Sequence, residues 1–417
     1  MASAITPICM IVFSYYPEDT RVRREAEGLA EAGMPVDVIC LRNRHELPEE
    51  MVDGVQVYRQ ALQRRRAGKL RYLWEYFYFI LLAFAKVSIL HLRKHYKAVH
   101  VHNMPDVLIF SALIPRLLGA KVILDLHDPM PEAFMAKYSL EESHPVIRAL
   151  GFLEKCSIRF AHLVLTPNIA FRDLFIFRGC PPQKIEVIMN SAQERFFRME
   201  PTEAGRDERA VREGFAVMCH GTIAERYGLG EALEAIASVR NRIPGLVFHV
   251  YGEGDFVDQF LKRVAELSLE DIVHYYGLVP PEVIASAIKS IDVGLIPNEH
   301  SKHWDLAVPT RVFEYLSLGT PVMAPRTRGI LDYFDEGSLH FFESGNVQSM
   351  AATILDVYRH PARVQAVLTR GMAINERYRW EIQKRKLVEL VAGLVGVKTL
   401  ASVSGRPTPP ADVVNPP

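Results

Sequence analysis

Short β-branched and apolar runs recur along the chain, each followed by a stretch whose apolar residues fall three or four apart. Ile8–Phe13, Val36–Leu41, Ala98–His102, Lys121–Leu126, His162–Thr166 and Ile185–Met189 read as strands, with helices between them. A second series follows: Ala216–Cys219, Leu246–Val250, Val273–Tyr276, Asp292–Ile296, Pro321–Ala324 and Leu339–Phe342. Alternating strands and helices predict an α/β protein, and two successive series predict two doubly wound parallel sheets. Ligands of such sheets bind beyond the carboxyl ends of the strands, so a cleft between two domains is the expected site.

A polar interval from Asn190 to Arg212, with Pro201, Gly205 and the charge cluster RDER at 206–209, marks the linker. The expected divisions are 1–195 and 196–372, then a segment 373–397 and a tail 398–417. Glu376–Leu394 reads as one helix with a sticky face of Trp380, Leu387, Leu390, Val391 and Leu394. The tail, ending GRPTPPADVVNPP, has the composition of a disordered segment.

Gln63–Leu90 differs from the rest. Tyr76–Ala85 is an uninterrupted apolar and aromatic run, bracketed by Glu75 and Lys86. Spanning a bilayer takes about 20 apolar residues, so this run is expected to lie on a membrane or inside the first domain. Arg64, Arg65, Arg66, Lys69 and Arg71 precede it, and Arg93, Lys94 and Lys97 follow. Such basic flanks suit an anionic inner leaflet, and peripheral membrane contact is the expectation.

Composition narrows the class. The 417 residues suggest two or three domains, and 49 basic against 49 acidic side chains leave no global charge to hold nucleic acid. Cys9, Cys40, Cys156, Cys180 and Cys219 are scattered without a CxxC pair, which excludes the common zinc and dithiol signatures and suits a reducing cytosol. The N-terminus shows no basic, apolar and small-residue succession of a secretory signal. No GxSxG, Walker A or DxD pair is placed in a suitable loop, and no GxGxxG follows the first strand. HVH at 100–102 reads as a strand end rather than a zinc site, and no metal is expected.

The candidate chemistry lies in loops. In PTRVFEYLSLGTPV, Pro309–Val322, Thr310 and Arg311 stand at a helix start, where free N–H groups and the helix dipole favour a diphosphate. Glu314, one turn inside, can accept hydrogen bonds from both hydroxyls of a ribose. Gly221 follows a strand, where backbone can approach a phosphate, and the Arg226 guanidinium can pair with diphosphate oxygens. His127 ends a strand, followed by Asp128, with Pro129 and Pro131 stiffening the loop. Asp19, Arg21, Arg23 and Arg24 occupy the start of another helix. Arginines there oppose the dipole by about 0.3–1 kcal/mol each, which either a bound anion or the neighbouring Asp19 offsets.

Together HGTIAERYGLG (His220–Gly230), YGEGD (Tyr251–Asp255) and PTRVFEYLSLGTPV resemble the C-terminal half of the family 4 retaining glycosyltransferases, which have the two-domain GT-B fold. RVRREAEGLAEAGMPVDVIC (Arg21–Cys40), VHVHNMPD (Val99–Asp106) and LDLHDPMPE (Leu124–Glu132) look like that family's acceptor-side half. The resemblance implies a nucleotide-sugar donor held by Gly221, Arg226, Leu278, Val279, Thr310, Arg311 and Glu314, with the base read by backbone at Leu278 and Val279. It implies His127 and Asp128 at the reacting centre, and Asp19 and Arg21 on the acceptor side. It also implies retention without a metal cofactor, and a terminal helix crossing back to the first domain. A lipid-linked or polysaccharide acceptor at the cytoplasmic membrane face is the expected partner. Two departures stand out. The family's arginine after the glycine is Thr222 here, and the first acid of its Glu-x7-Glu pattern is Leu306, beside Asp305. A sugar-nucleotide epimerase and a non-catalytic binding partner of another transferase are the alternative readings.

Overall fold

The computed structural model describes residues 6–63, 69–199 and 214–397. The basic residues Arg64–Arg66, the linker residues 200–212 and the tail 398–417 lie outside the described residues.

The first sheet has eight strands: β1 Ile8–Tyr15, β2 Val36–Leu41, β3 Glu49–Val52, β4 Val55–Gln60, β5 Ala98–His102, β6 Lys121–Asp125, β7 Leu163–Thr166 and β8 Ile185–Val187. Their order is β3-β4-β2-β1-β5-β6-β7-β8. β1 runs parallel to β2 and β5, in register at Ile8↔Val36 and Ile8↔Ala98. β3 and β4 are an addition to the sequence reading, and β3 makes the edge antiparallel. The hairpin turn is Asp53-Gly54, both at positive φ (46° and 81°). This is the backbone of a type I′ turn, whose twist matches that of the flanking strands.

The second sheet is wholly parallel: β9 Phe215–His220, β10 Leu246–Tyr251, β11 Val273–Tyr275, β12 Val293–Leu295, β13 Val322–Pro325 and β14 His340–Phe342. The order β11-β10-β9-β12-β13-β14 is that of the dinucleotide-binding fold, with the direction of winding reversing between β9 and β12. Every residue of β9 is buried. Phe215, Val217 and Cys219 join one apolar cluster, while Ala216 and Met218 join another. The strand's two-residue period thus feeds a core on each face, as expected of a parallel sheet covered by helices on both sides.

Two compact units emerge from the packing. One comprises Met1–Val101, Ile109–Ile123 and Lys384–Pro417, the other His102–Leu108 and Leu124–Gln383. Glu376–Leu394 is not one helix. A 3-10 turn, Glu376–Tyr378, precedes an α-helix from Trp380 to Val395. The break falls at Arg379, whose extended ψ of 149° ends the turn and whose guanidinium pairs with both Glu194 and Glu376. In the first unit Leu387 and Val391 are buried, and Lys384 pairs with Glu31 at 3.0 Å.

The aromatic run forms part of a long helix, Lys69–Lys94. Tyr76, Phe79, Ala83, Val87 and Leu90 are buried, with Phe13 of β1 against the rings of Tyr76 (4.6 Å) and Phe79 (5.2 Å). Trp74, Phe77, Tyr78, Leu81, Ile89 and Leu92 are exposed. The helix therefore has an apolar face beyond the one it packs. By length and composition Trp74–Lys94 reaches what crossing a bilayer needs, longer than the run read from the sequence.

Candidate functional site

The second sheet gathers most of the expected donor-side residues at the carboxyl ends of β9 and β12. The helix Thr310–Ser317 begins there after Pro309, with no side-chain cap on its first N–H groups. Those amides are the unsatisfied donors of any helix start. Arg311 is buried and reaches across to β9: Nη1 donates to the His220 carbonyl (2.8 Å) and Nη2 to Asn298 Oδ1 (2.9 Å). A methyl group on Gly221 would stand 3.7 Å from Arg311 Cδ, so this loop and this arginine share one surface. The Arg226 and Arg311 guanidiniums both face the Tyr227 ring, at 5.3 and 5.8 Å from its centre. Glu314 lies 3.4 Å from His220 Nε2. Burial, reinforced by the charge of Arg311, pulls the His220 imidazole down to about 3, which keeps it neutral.

The base-side residues follow β11. Leu278 is exposed and Val279 half-buried, just after Gly277. The Gly277 carbonyl accepts from Gly252 N (2.7 Å), and Gly221 N donates to the Tyr251 carbonyl (3.0 Å). Gly252 is packed so closely on Gly221 that a methyl carbon would overlap the Gly221 carbonyl oxygen. The ends of β9, β10 and β11 are thereby tied into one rim.

In the same unit, His127 and Asp128 follow β6. The Asp125 carboxylate is fully buried, with Oδ2 at 3.0 Å from His127 Nε2 and 3.2 Å from His102 Nδ1. The amide of His127 donates to Asn103 Oδ1 at 2.8 Å. Asp128 Oδ1 lies 3.6 Å from His303 Nε2, a residue of the loop joining β12 to the Thr310 helix. His303 packs edge-on against Trp304 (4.9 Å), and Trp304 against Tyr227 (4.7 Å). A continuous set of contacts therefore runs from Asp128 through this loop to the two arginines. Below it, Arg178 pairs with Glu132 and with Glu154 (3.1 Å). Burial raises Glu154 to about 8 against the opposing charge of Arg178, and raises Asp106 to about 6.

Asp19 and Arg21 lie in the other unit. Asp19 is the N-cap of the helix Thr20–Glu31, accepting from Val22 N. Arg21 is buried and pairs with Glu25 at 3.2 Å, while Arg23 pairs with Glu27 and Asp53. Arg21 and Arg23 therefore each have a carboxylate close by.

Residues 19–191 match the family described as "Glycosyl transferase 4-like domain", and residues 214–360 match "Glycosyl transferases group 1". This chain belongs to the family 4 glycosyltransferases. Its curated relatives include the 2-deoxystreptamine glucosyltransferase of Streptomyces kanamyceticus, 25% identical over 84% of this chain and 92% of that one. Another is the amylovoran biosynthesis glycosyltransferase AmsK of Erwinia amylovora, 24% identical over 56% of each chain. Among solved structures, sucrose-phosphate synthase from Thermosynechococcus elongatus superposes with a TM-score of 0.76 at 16% identity, covering 94% of this chain and 99% of that one. Anabaena HepE in complex with UDP-glucose gives 0.70 at 17% identity, covering 93% and 99%. These likenesses establish the GT-B fold, with two parallel-sheet Rossmann-like domains.

Where this glycosyltransferase departs from the family pattern, the structure shows what stands there. Leu306 brings no carboxylate, and Asp305 turns to His300 Nδ1 at 3.0 Å. Several neighbours escaped the sequence reading. Asp125 sits two residues before His127, and a strand's two-residue period puts both on one face; that signal was available. His220, adjacent to Gly221, was available too. His303, Trp304 and Asn298 lie on a loop without periodicity, and only the fold brings them to Asp128 and Arg311.

Proposed function

We propose that this glycosyltransferase moves a sugar, with retention of anomeric configuration, from a nucleotide-sugar donor to a lipid-linked or glycan acceptor in cell-envelope or exopolysaccharide synthesis. The convergence of Gly221, Arg311 and Glu314 on the ends of β9 and the Thr310 helix carries the reading. In this scheme Glu314 accepts the ribose hydroxyls, backbone at Leu278 and Val279 meets the base, and Gly221 faces the diphosphate. The bond from the anomeric carbon to the diphosphate breaks, and the acceptor oxygen bonds to that carbon from the same face. The acceptor's proton passes to the departing phosphate oxygen. Negative charge grows on the diphosphate, so positive charge already in place lowers the barrier most. The amides at Thr310 and Arg311 supply it, with the cations of Arg311 and Arg226, and no metal enters. His127 contacts the sugar or leaving group, held by Asp125, with Asp128 beside it; Asp19 and Arg21 lie on the acceptor side.

We place the protein on the cytoplasmic side, resting on an anionic lipid surface. The exposed Trp74, Phe77, Tyr78 and Leu81 face of the long helix supports this reading, together with the basic run Arg64–Arg66 before it and Arg93 and Lys97 after it.

The test is product analysis after incubation with UDP-glucose, GDP-mannose or ADP-glucose in the presence of a chelator. Release of nucleoside diphosphate with free sugar of the donor's own anomer supports a retaining transferase diverting to water. A C2-epimerised product would identify an epimerase. Binding with no product, even when lipid-linked acceptors are added, would identify a non-catalytic partner.

A further inference from the structure

One side chain outside the donor site holds the loop that carries His127. Asn103 follows β5 and is buried. Its Oδ1 accepts from His127 N at 2.8 Å, and its Nδ2 donates to the Asp128 carbonyl at 2.9 Å and to Asp106 Oδ1 at 3.0 Å. Its own backbone N–H donates to the Asp125 carbonyl at 2.9 Å. Residues 125, 127 and 128 are therefore all bonded to this single residue.

The polarity of each contact fits a carboxamide alone. An amide offers one carbonyl acceptor and two N–H donors on the same planar group. Here an N–H faces the carbonyl oxygen, while a carbonyl and a carboxylate face the amide nitrogen. Turning the amide over would set N–H against N–H and oxygen against oxygen, so its orientation is fixed by its partners. A carboxylate would repel two of the three partners, and an apolar residue would satisfy none. The anchor is itself tethered: Asp106 N donates to Met130 Sδ at 3.4 Å, at the first turn of the helix Met130–Tyr138. Two of the bonds end on the backbone of His127 and Asp128, the middle pair of the four residues between strand β6 and that helix. Their side chains meet Asp125 and His303.

We propose that Asn103 is the positioning residue of this site, whose carboxamide sets the backbone at His127 and Asp128 and thereby where the His127 ring stands relative to Asp125. The inference rests on the nucleotide-sugar reading above. It adds that Asn103, in the VHVHNMPD segment, acts through the HDP loop.

The test uses the full chain and the isosteric Asn103→Asp, since Asn103→Ala strips the bonds and can cost the fold. Two readouts are taken. The first is steady-state turnover of whichever of UDP-glucose, GDP-mannose and ADP-glucose the wild type consumes, alongside calorimetric affinity for the matching diphosphate. The second is the ring-nitrogen resonances of His127 in protein with labelled histidine, assigned by their loss in His127→Gln. A displacement of about 1 Å at a reacting group can cost a hundredfold. The expectation is kcat lowered by about tenfold or more, diphosphate affinity within about twofold, and shifted His127 resonances with those of His220 in place. Unchanged turnover with unchanged His127 resonances would overturn the proposal. So would a loss of affinity and turnover in proportion to a lowered melting temperature, which would make Asn103 merely structural. Where the wild type binds without turnover, the ring resonances alone decide. If the wild type binds none of UDP, GDP and ADP, the nucleotide-sugar reading itself falls and takes this inference with it.

Discussion

Gly252→Ala should damage both the stability of the second sheet and its hold on a diphosphate. Gly252 follows β10 at φ +130°, a conformation that L side chains rarely adopt. Forcing alanine there costs about 1–3 kcal/mol of backbone strain. The new methyl carbon would also overlap the Gly221 carbonyl oxygen and stand 2.8 Å from its carbon. Carbon atoms rest about 3.5 Å or more apart, so the two loops must part by roughly 1 Å. No rotamer relieves a backbone clash, and overpacking of this kind costs about 1–3 kcal/mol more. The sum is about 4 kcal/mol, equivalent to a fall of about 8–16 °C in melting temperature for a domain of this size. Gly277→Ala is the control. Its φ is +70° with no atom within 4 Å of the added carbon, so only the left-handed strain of about 1–2 kcal/mol applies. Calorimetry with the diphosphate that the wild type binds should show Gly252→Ala weakened at least about tenfold, because hydrogen bonds decline steeply with misalignment. Gly277→Ala should bind as before. If Gly252→Ala melts with Gly277→Ala and binds equally well, the close packing of these two loops does not support the phosphate site.

Three further outcomes are expected. His127→Gln should lower turnover about a hundredfold while diphosphate affinity stays within about twofold; full turnover would remove His127 from the reacting centre. Reversing Arg64–Arg66 to glutamate should cost at least about 3 kcal/mol of binding to phosphatidylserine vesicles, at about 1 kcal/mol per basic residue. Equal sedimentation with the vesicles would mean that the exposed helix face serves another purpose. His340 is buried, and that burial, with Arg363 adding and Asp356 opposing, pulls its imidazole down to about 4. Its contribution is complete above the ordinary histidine value of about 6.5 and is lost as pH falls toward 4, about 2 kcal/mol by pH 5. His340→Phe should therefore lose about 2 kcal/mol less than the wild type between pH 7 and pH 5 in urea unfolding. Equal losses would show that His340 takes up its proton in the folded state.

Strands β9, β12 and β13 were legible because each is buried on both faces and so reads as a short apolar run. β9 is the clearest case, FAVMCH with every residue inside. The edge hairpin was not read, although Asp53-Gly54 is a strong turn signal. β3 alternates exposed and half-buried residues, so its apolar content is low. The terminal helix was over-read, since periodicity continues across Arg379 while the ion pairs with Glu194 and Glu376 hold that residue extended. At the site, motif spacing placed Gly221 after a strand end and Arg311 and Glu314 at a helix start, where the structure has them. It did not find their partners. Asn298 and His303 are brought in by a loop, and Asn103 by matching its amide to backbone more than twenty residues away. Such complementarity exists only in three dimensions.

The most direct test is calorimetric titration of UDP, GDP and ADP, without metal, into the wild type and Glu314→Ala. The account predicts that the wild type binds one of the three. A carboxylate accepting two hydroxyls contributes about 1.5–3 kcal/mol per bond, so Glu314→Ala should weaken that binding by at least about tenfold. Binding that is unchanged in Glu314→Ala, or absent for all three diphosphates in the wild type, would contradict it.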